Sequence, residues 1–149
     1  MRRSSGLVRT DARVVLDSNI LFSALISPHG VPDAIYRAWR AARFEVVTSR
    51  AQLDKIRRAS RYPKLQAVLQ PAKVGVIVNN LQRAVVLDRL TIEVETDDSD
   101  DAFLLAMAMA TASDADYLVT GDRRAGLLQR GHVGRPRIVT PAVFCAEVL

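Results

Sequence analysis

The sequence predicts an α/β domain with a mostly parallel sheet of about four or five strands and helices on both faces. Short apolar segments without alternation, such as Arg13–Leu16 and Tyr117–Thr120, are typical of strands buried on both faces. Segments with helical spacing separate them, and strands that alternate with helices need crossover connections between parallel strands. A length of 149 residues suits one such domain.

The strands are predicted from short runs of apolar and β-branched residues between turn signals. In chain order they are Arg13–Leu16, Phe44–Thr48, Val85–Leu87, Tyr117–Thr120 and Arg137–Val139. A further segment, Thr91–Glu95, alternates and fits either an edge strand or an extended connection.

The helices are predicted from apolar residues at helical spacing and from residues that begin helices. The predicted segments are Ile20–Leu25, Pro32–Ala42, a run from Ser49 towards Tyr62, Pro71–Ala84, Phe103–Thr111 and a terminal helix from Pro141. Proline suits the first turn of a helix, and Ser49 is placed to cap the helix that follows it.

Composition and charge limit the classes of protein that need to be considered. The chain has 21 basic and 16 acidic residues, and a basic surface attracts phosphate backbones and acidic partners. Its one cysteine, Cys145, excludes a disulfide framework and fits a reducing cytoplasm. No apolar run approaches the length of a membrane span. We expect a cytoplasmic protein with a flexible basic tail over residues 1–12 and a single domain over residues 13–149.

Carboxylates occur where ligands are expected in a fold of this type. Asp17 ends the first strand, Asp122 follows the Tyr117 strand, and Asp98 and Asp101 lie at the start of the Phe103 helix. Ligands bind at the carboxyl ends of the strands in open α/β sheets, so these acids are expected to converge. Oxygen ligands in this number suit Mg²⁺ or Mn²⁺. Each acid also has a structural interpretation, because acids cap helices and Thr-Gly-Asp is a common turn.

Several motifs in order along the chain resemble those of PIN domains. They are Val14–Leu21, Ser49, Arg61–Leu65, Asp98–Leu104, Ala115–Asp122, and Arg137–Pro141 with Phe144. The resemblance covers nearly the whole chain after the tail and is closest to the toxin components of bacterial type II toxin–antitoxin systems (VapC-like ribonucleases). It implies a three-layer α/β/α fold, a Mg²⁺- or Mn²⁺-dependent endoribonuclease, a cognate antitoxin and a homodimer.

The resemblance also implies roles for individual residues. Asp17, Asp101 and Asp122 match the acidic, catalytic metal-site positions of the family. Asn19 matches a polar residue that supports the first acid, and Asp98 matches an accessory acid.

One position departs from the family pattern. Six residues after Ser49, where the family normally has Glu, this chain has Lys55. The neighbouring Asp54 is an alternative accessory acid, but one residue along a helix rotates the side chain by about 100°. A lysine among carboxylates weakens metal binding, although it can also contact phosphate. A degenerate PIN fold that binds RNA or a partner without cleaving is therefore the alternative to a nuclease.

A basic stretch lies beside the predicted site. Arg57, Arg61 and Lys64 are expected to bind the phosphates of the RNA substrate. A solvated helix face is the alternative interpretation of the same residues.

Overall fold

The computed structural model describes residues 11–87, 99–110, 114–121, 128, 131 and 133–149, and for residues 99–103 the backbone alone. Within these residues the chain forms a five-stranded sheet, with strands in the order β3-β2-β1-β4-β5 and all neighbours parallel. The strands are β1 (Arg13–Leu16), β2 (Glu45–Ser49), β3 (Val85–Leu87), β4 (Tyr117–Val119) and β5 (Arg137–Val139). The predicted α/β fold class and strand number are confirmed. The segment Thr91–Glu95 lies outside the described residues.

Seven helices are present in the described part of the chain. They are α1 (Ser18–Ile26), α2 (Val31–Arg40), α3 (Arg50–Ala59), α4 (Pro63–Gln66), α5 (Pro71–Leu81), α6 (Ser99–Met109) and α7 (Pro141–Val148). None of them is long and apolar enough to cross a membrane.

Several helix ends differ from the predicted ones by up to four residues, and two of these differences are at the ends of α3 and α5. The predicted run from Ser49 towards Tyr62 ends at Ala59, and a short helix that was not predicted, α4, begins at Pro63, because Pro63 disfavours helical backbone in the residue before it. Tyr62 is accordingly extended, with φ −70° and ψ 133°. The helix predicted to reach Ala84 ends at Leu81, where the chain tightens into turns before β3.

Side chains alternate between the two faces of the sheet and build two cores. Val14 and Leu16 of β1 pack on the face covered by α1, α2, α3, α5 and α7. Val15 of the same strand packs on the opposite face, together with Leu105 and Met107 of α6. All of these side chains are 1% exposed or less. Strands covered on both faces explain why their sequences are continuously apolar.

The last helix closes the first of these faces through aromatic packing. Phe144 of α7 is fully buried and meets Phe44 and Tyr117 edge-to-face, with ring centroids 5.1 and 5.6 Å apart. The neighbouring Cys145 is partly buried against the same core, and burial raises the pKa of its thiol. This placement agrees with the small, unreactive packing role that a lone cysteine in an apolar helix suggests.

The strand order creates a crevice at the centre of the sheet. From β1 the chain proceeds to β2 and β3 on one side, and it later returns to place β4 and β5 on the other. The direction of winding therefore reverses between β1 and β4. Open parallel sheets bind their ligands at such a reversal, outside the carboxyl ends of the strands. The residues that follow Leu16 and Val119 are therefore the first to consider as a functional site.

Candidate active site

Buried polar residues are concentrated at the carboxyl ends of the central strands. Six of the seven polar residues that are buried in the described part of the chain lie there or in the helix turns that follow: Asp17, Ser18, Thr48, Ser49, Gln52 and Thr120. A buried polar group costs free energy unless hydrogen bonds compensate it. Their accumulation at one edge, while the two cores are apolar, distinguishes this edge as a built polar site.

Asp17 lies at the centre of this edge, and its side chain is held on both oxygens. The residue is 6% exposed, and its backbone N–H donates to the carbonyl of Val119 at 3.0 Å. Oδ1 accepts a hydrogen bond from the backbone N–H of Asn19 at 3.1 Å, and Oδ2 accepts one from the hydroxyl of Thr120 at 2.9 Å. The carboxylate therefore has one orientation, set from β1 and β4 together.

The capping interpretation of Asp17 is correct, and it leaves room for a second role. Asp17 is the N-cap of α1 through its bond to Asn19. A carboxylate has about four acceptor positions, and each oxygen of Asp17 uses one in these contacts. Within the described residues no lysine or arginine forms an ion pair with this buried charge. The donor set thus fits a hard cation, which takes oxygen ligands and compensates a buried carboxylate.

Asn19 contacts the Asp17 carboxylate through its backbone. The hydrogen bond comes from its backbone N–H, whereas its side chain belongs to an exposed residue. Any residue other than proline can provide such a backbone donor, so this contact alone does not require asparagine.

Thr120 is a site residue that the sequence analysis missed. Leu16 and Val119 are direct partners in the parallel register of β1 and β4, so the residues that follow them lie side by side. The fully buried Thr120 hydroxyl consequently reaches Asp17. The sequence shows Thr120 as a polar residue at a strand end. It does not show the register of β1 with β4, which lie about a hundred residues apart in the chain and bring Thr120 next to Asp17.

Gln52 is the second residue missed, and it joins α3 to the backbone around Asp17. Its Nε2 donates to the carbonyl of Leu16 at 2.7 Å and to the hydroxyl of Ser18 at 3.2 Å. Its Oε1 accepts a hydrogen bond from the hydroxyl of Thr48 at 2.6 Å. Leu16 and Ser18 flank Asp17, so this amide fixes the chain on both sides of the carboxylate.

The sequence signal around Gln52 points to a different structure. Ser49 and Gln52 have the spacing of a capping box, in which each side chain bonds the other residue's backbone N–H. Half of it forms, because Ser49 Oγ accepts from the backbone N–H of Gln52 at 3.0 Å. The side chain of Gln52 instead turns to the strand ends.

The remaining predicted acids are only partly described. Asp101 lies in the first turn of α6, one turn before Leu104 and Leu105, which pack on the sheet. Asp98 and Asp122 lie outside the described residues. Among the described side chains no group of three histidine, cysteine or acidic residues is positioned to hold a metal ion. The metal-ligand roles of these three acids therefore stay predictions.

Position 55 lies on the side of α3 that faces the polar site. It follows the buried Gln52 by three residues, which on a helix is a rotation of about 60° from the direction of Gln52. Lys55 is half-buried. Asp54 lies elsewhere, because its side chain is 63% exposed and its Oδ1 pairs with Arg57 Nη1 at 3.4 Å. The structure therefore brings Lys55, rather than Asp54, to the side of the helix nearer Asp17.

The three predicted phosphate-binding residues are all outside the polar site itself. Arg57 and Arg61 line a groove between α3 and α5. Lys64 is exposed in α4.

Fold and site together define an α/β domain with a buried, hydrogen-bonded carboxylate at the switch point of a parallel sheet. A family model described as PIN domain matches residues 13–124, a range that includes β1 to β4. The chain therefore belongs to the PIN-domain family, whose members are commonly nucleases that use divalent metal ions. No curated protein and no solved structure matches the chain.

Proposed function

We propose that this protein is a metal-dependent endoribonuclease and the toxin component of a type II toxin–antitoxin system. The observation that supports the proposal best is Asp17, a buried carboxylate at the switch point of a PIN-family sheet with an acceptor position left on each oxygen. The proposal includes RNA as substrate, a cognate antitoxin, a homodimer and a cytoplasmic location.

Asp17, Asp101 and Asp122 would hold Mg²⁺ or Mn²⁺, with Asp98 as an accessory acid. Such an ion lowers the pKa of a bound water and neutralises the charge that develops on the phosphate. The chain's own residues position the site. The Asn19 N–H and the Thr120 hydroxyl hold the Asp17 carboxylate in one orientation. Following the family, the products carry a 3′-hydroxyl and a 5′-phosphate.

The direct test is RNA cleavage in the presence of Mn²⁺. Asp17→Asn keeps the shape of the side chain and removes its charge, so we expect the purified variant to fold and to lose cleavage. Asp33→Asn is the matched control, since Asp33 pairs with Arg37 in α2 at 2.8 Å, outside the polar site. Cleavage by Asp17→Asn at the wild-type rate would contradict the proposal, because a required ligand cannot be dispensable.

Lys55 supports a second candidate function, a PIN fold that binds RNA or a partner without cleaving it. The half-buried lysine lies on the side of α3 that carries Gln52, where the family has an acid. A cation there disfavours a divalent ion through like-charge repulsion. A wild-type protein that binds RNA, does not bind Mn²⁺ at millimolar concentration and does not cleave would establish this alternative.

A further inference from the structure

Two adjoining grooves run along α3, which covers the face of the sheet opposite α6. The first, of about 480 Å³, lies between α3 and α5. Arg57 and Arg61 line it from α3 and the turn after it, and Gly75, Asn79 and Gln82 line it from α5 and the residue that follows α5. The second, of about 430 Å³, shares Arg57 and Gln82 and adds Arg50 and Asp54. We call the two together the α3–α5 groove.

The arginines of this groove form a row along α3. Arg57 and Arg61 follow Arg50 by seven and eleven residues, spacings that return to within about 20° of the same direction on a helix. Arg61 lies just past the end of α3, where turn hydrogen bonds from Ser60 to Ile56 and from Arg61 to Arg58 continue the winding. Arg50 follows Ser49 directly, at the carboxyl end of β2. The row therefore begins at the carboxyl edge of the sheet, on the side of α3 about 160° away from Gln52, and leads away from that edge.

The charge of the α3–α5 groove is predominantly positive. Its described lining contains three arginines and one carboxylate, Asp54. That carboxylate contacts Arg57 at 3.4 Å with both side chains well exposed, and pairs of this kind contribute little free energy. Arg57 can therefore exchange this contact for a phosphate at small cost. Guanidinium groups are well suited to phosphate, since their planar fork donates two parallel hydrogen bonds.

The accessible lining combines polar and apolar groups. Leu69, Val74 and Val78 form the floor but are themselves buried, at 4, 6 and 9% exposure. What faces solvent includes hydroxyl, amide and guanidinium groups. Together with the excess of arginine over carboxylate, these groups suit RNA, which carries one negative charge per nucleotide.

We propose that the α3–α5 groove binds the phosphate backbone of single-stranded RNA and guides it to the carboxyl edge of the sheet. The proposal rests on the proposed nuclease function and adds the path of the substrate and the form in which it binds. A groove of this size can follow a single strand, whereas a duplex presents its phosphates on a broad convex surface. Tyr62, which is 60% exposed directly after Arg61, adds an aromatic surface on which an unpaired base can stack.

Gly75 allows the groove to be tested without disturbing the fold. A Cβ added at this position would meet nothing within 4 Å, and its backbone is that of an ordinary helix residue of α5. Gly75→Glu, Gly75→Lys and Gly75→Gln place an acid, a base and a neutral group of similar size in the groove. A structural disturbance would change the RNA affinity of all three variants alike. If phosphate binds in the groove, the acid must weaken RNA binding and the base must strengthen it.

The measurement is fluorescence anisotropy of the full chain with a labelled single-stranded RNA of about 12 nucleotides, in EDTA so that no cleavage occurs. Relative to Gly75→Gln, we expect Gly75→Glu to weaken binding about fivefold and Gly75→Lys to tighten it by a similar factor. The matched control is Val76, which is 55% exposed on α5 and does not line the groove. At position 76, the acidic and basic variants should differ in RNA affinity by less than about twofold.

Salt dependence gives an independent measure of the same contacts. Arg57→Gln and Arg61→Gln should each reduce the slope of log affinity against log salt by about 0.7, the value for one phosphate of a single strand. The inference is overturned if the three Gly75 variants bind the RNA with equal affinity, or if the same substitutions at Val76 change the affinity as much. It is also overturned if poly-glutamate displaces the labelled RNA as well as unlabelled RNA does. Binding with these signatures but without Mn²⁺-dependent cleavage would refute the proposed nuclease and leave the groove assignment standing.

Discussion

Gln52 is expected to be the residue whose loss most disturbs the polar site without changing a charge. Gln52→Leu keeps the size of the side chain and removes its amide, which is 1% exposed. Three side-chain hydrogen bonds disappear, to the Leu16 carbonyl, the Ser18 hydroxyl and the Thr48 hydroxyl. At a net value of about 1 kcal/mol per bond, the free energy of unfolding should fall by about 3 kcal/mol.

The assay is urea unfolding followed by circular dichroism, with Gln66→Leu as the matched control. Gln66 is exposed in α4, so the same chemical change there should alter the free energy of unfolding by less than about 0.5 kcal/mol. A double-mutant cycle with Thr48→Val isolates one of the three bonds and should give a coupling of about 1 kcal/mol. A loss from Gln52→Leu no larger than that of the control would refute the argument that this amide holds the strand ends together.

Two further predictions concern the surroundings of Asp17. Thr120→Val removes the hydroxyl that donates to Asp17 Oδ2 and should lower the free energy of unfolding by about 2 kcal/mol, because hydrogen bonds to charged groups are the stronger ones. This loss should be smaller in an Asp17→Asn background. An equal loss in that background would contradict the hydrogen bond between Thr120 and the Asp17 carboxylate. Lys55→Glu places an acid where the family has one, so calorimetric Mg²⁺ affinity and RNA cleavage should both rise, with Lys55→Gln intermediate. If neither changes, position 55 does not reach the site, and loss of cleavage in Asp54→Asn would then identify Asp54 as the acid in use.

The fold was predictable because the information it needs is local. Continuous apolar segments such as Arg13–Leu16 identify buried parallel strands, and proline and serine mark where helices begin. The end of α3 shows the limit of this reasoning. The apolar spacing that continues through Ile56 does not reveal that α3 ends at Ala59, or that Pro63 begins a separate short helix, although the proline itself was visible.

The site was predictable in location but not in composition. A strand-end acid and the rule for parallel sheets were sufficient to put Asp17 at the carboxyl edge. Thr120 and Gln52 contact that edge through the register of β1 with β4 and through the packing of α3, which are tertiary facts. At Ser49 the local signal predicted the helix cap, which is confirmed, but it does not reveal that the Gln52 side chain turns to the strand ends.

Binding of Mn²⁺ to the full chain can be measured by the loss of the free-ion electron paramagnetic resonance signal. We expect saturable binding at millimolar Mn²⁺ or below by the wild type and by Asp33→Asn, and loss of binding in a folded Asp17→Asn. Equal binding by Asp17→Asn and the wild type would contradict the assignment of this buried carboxylate as a metal ligand.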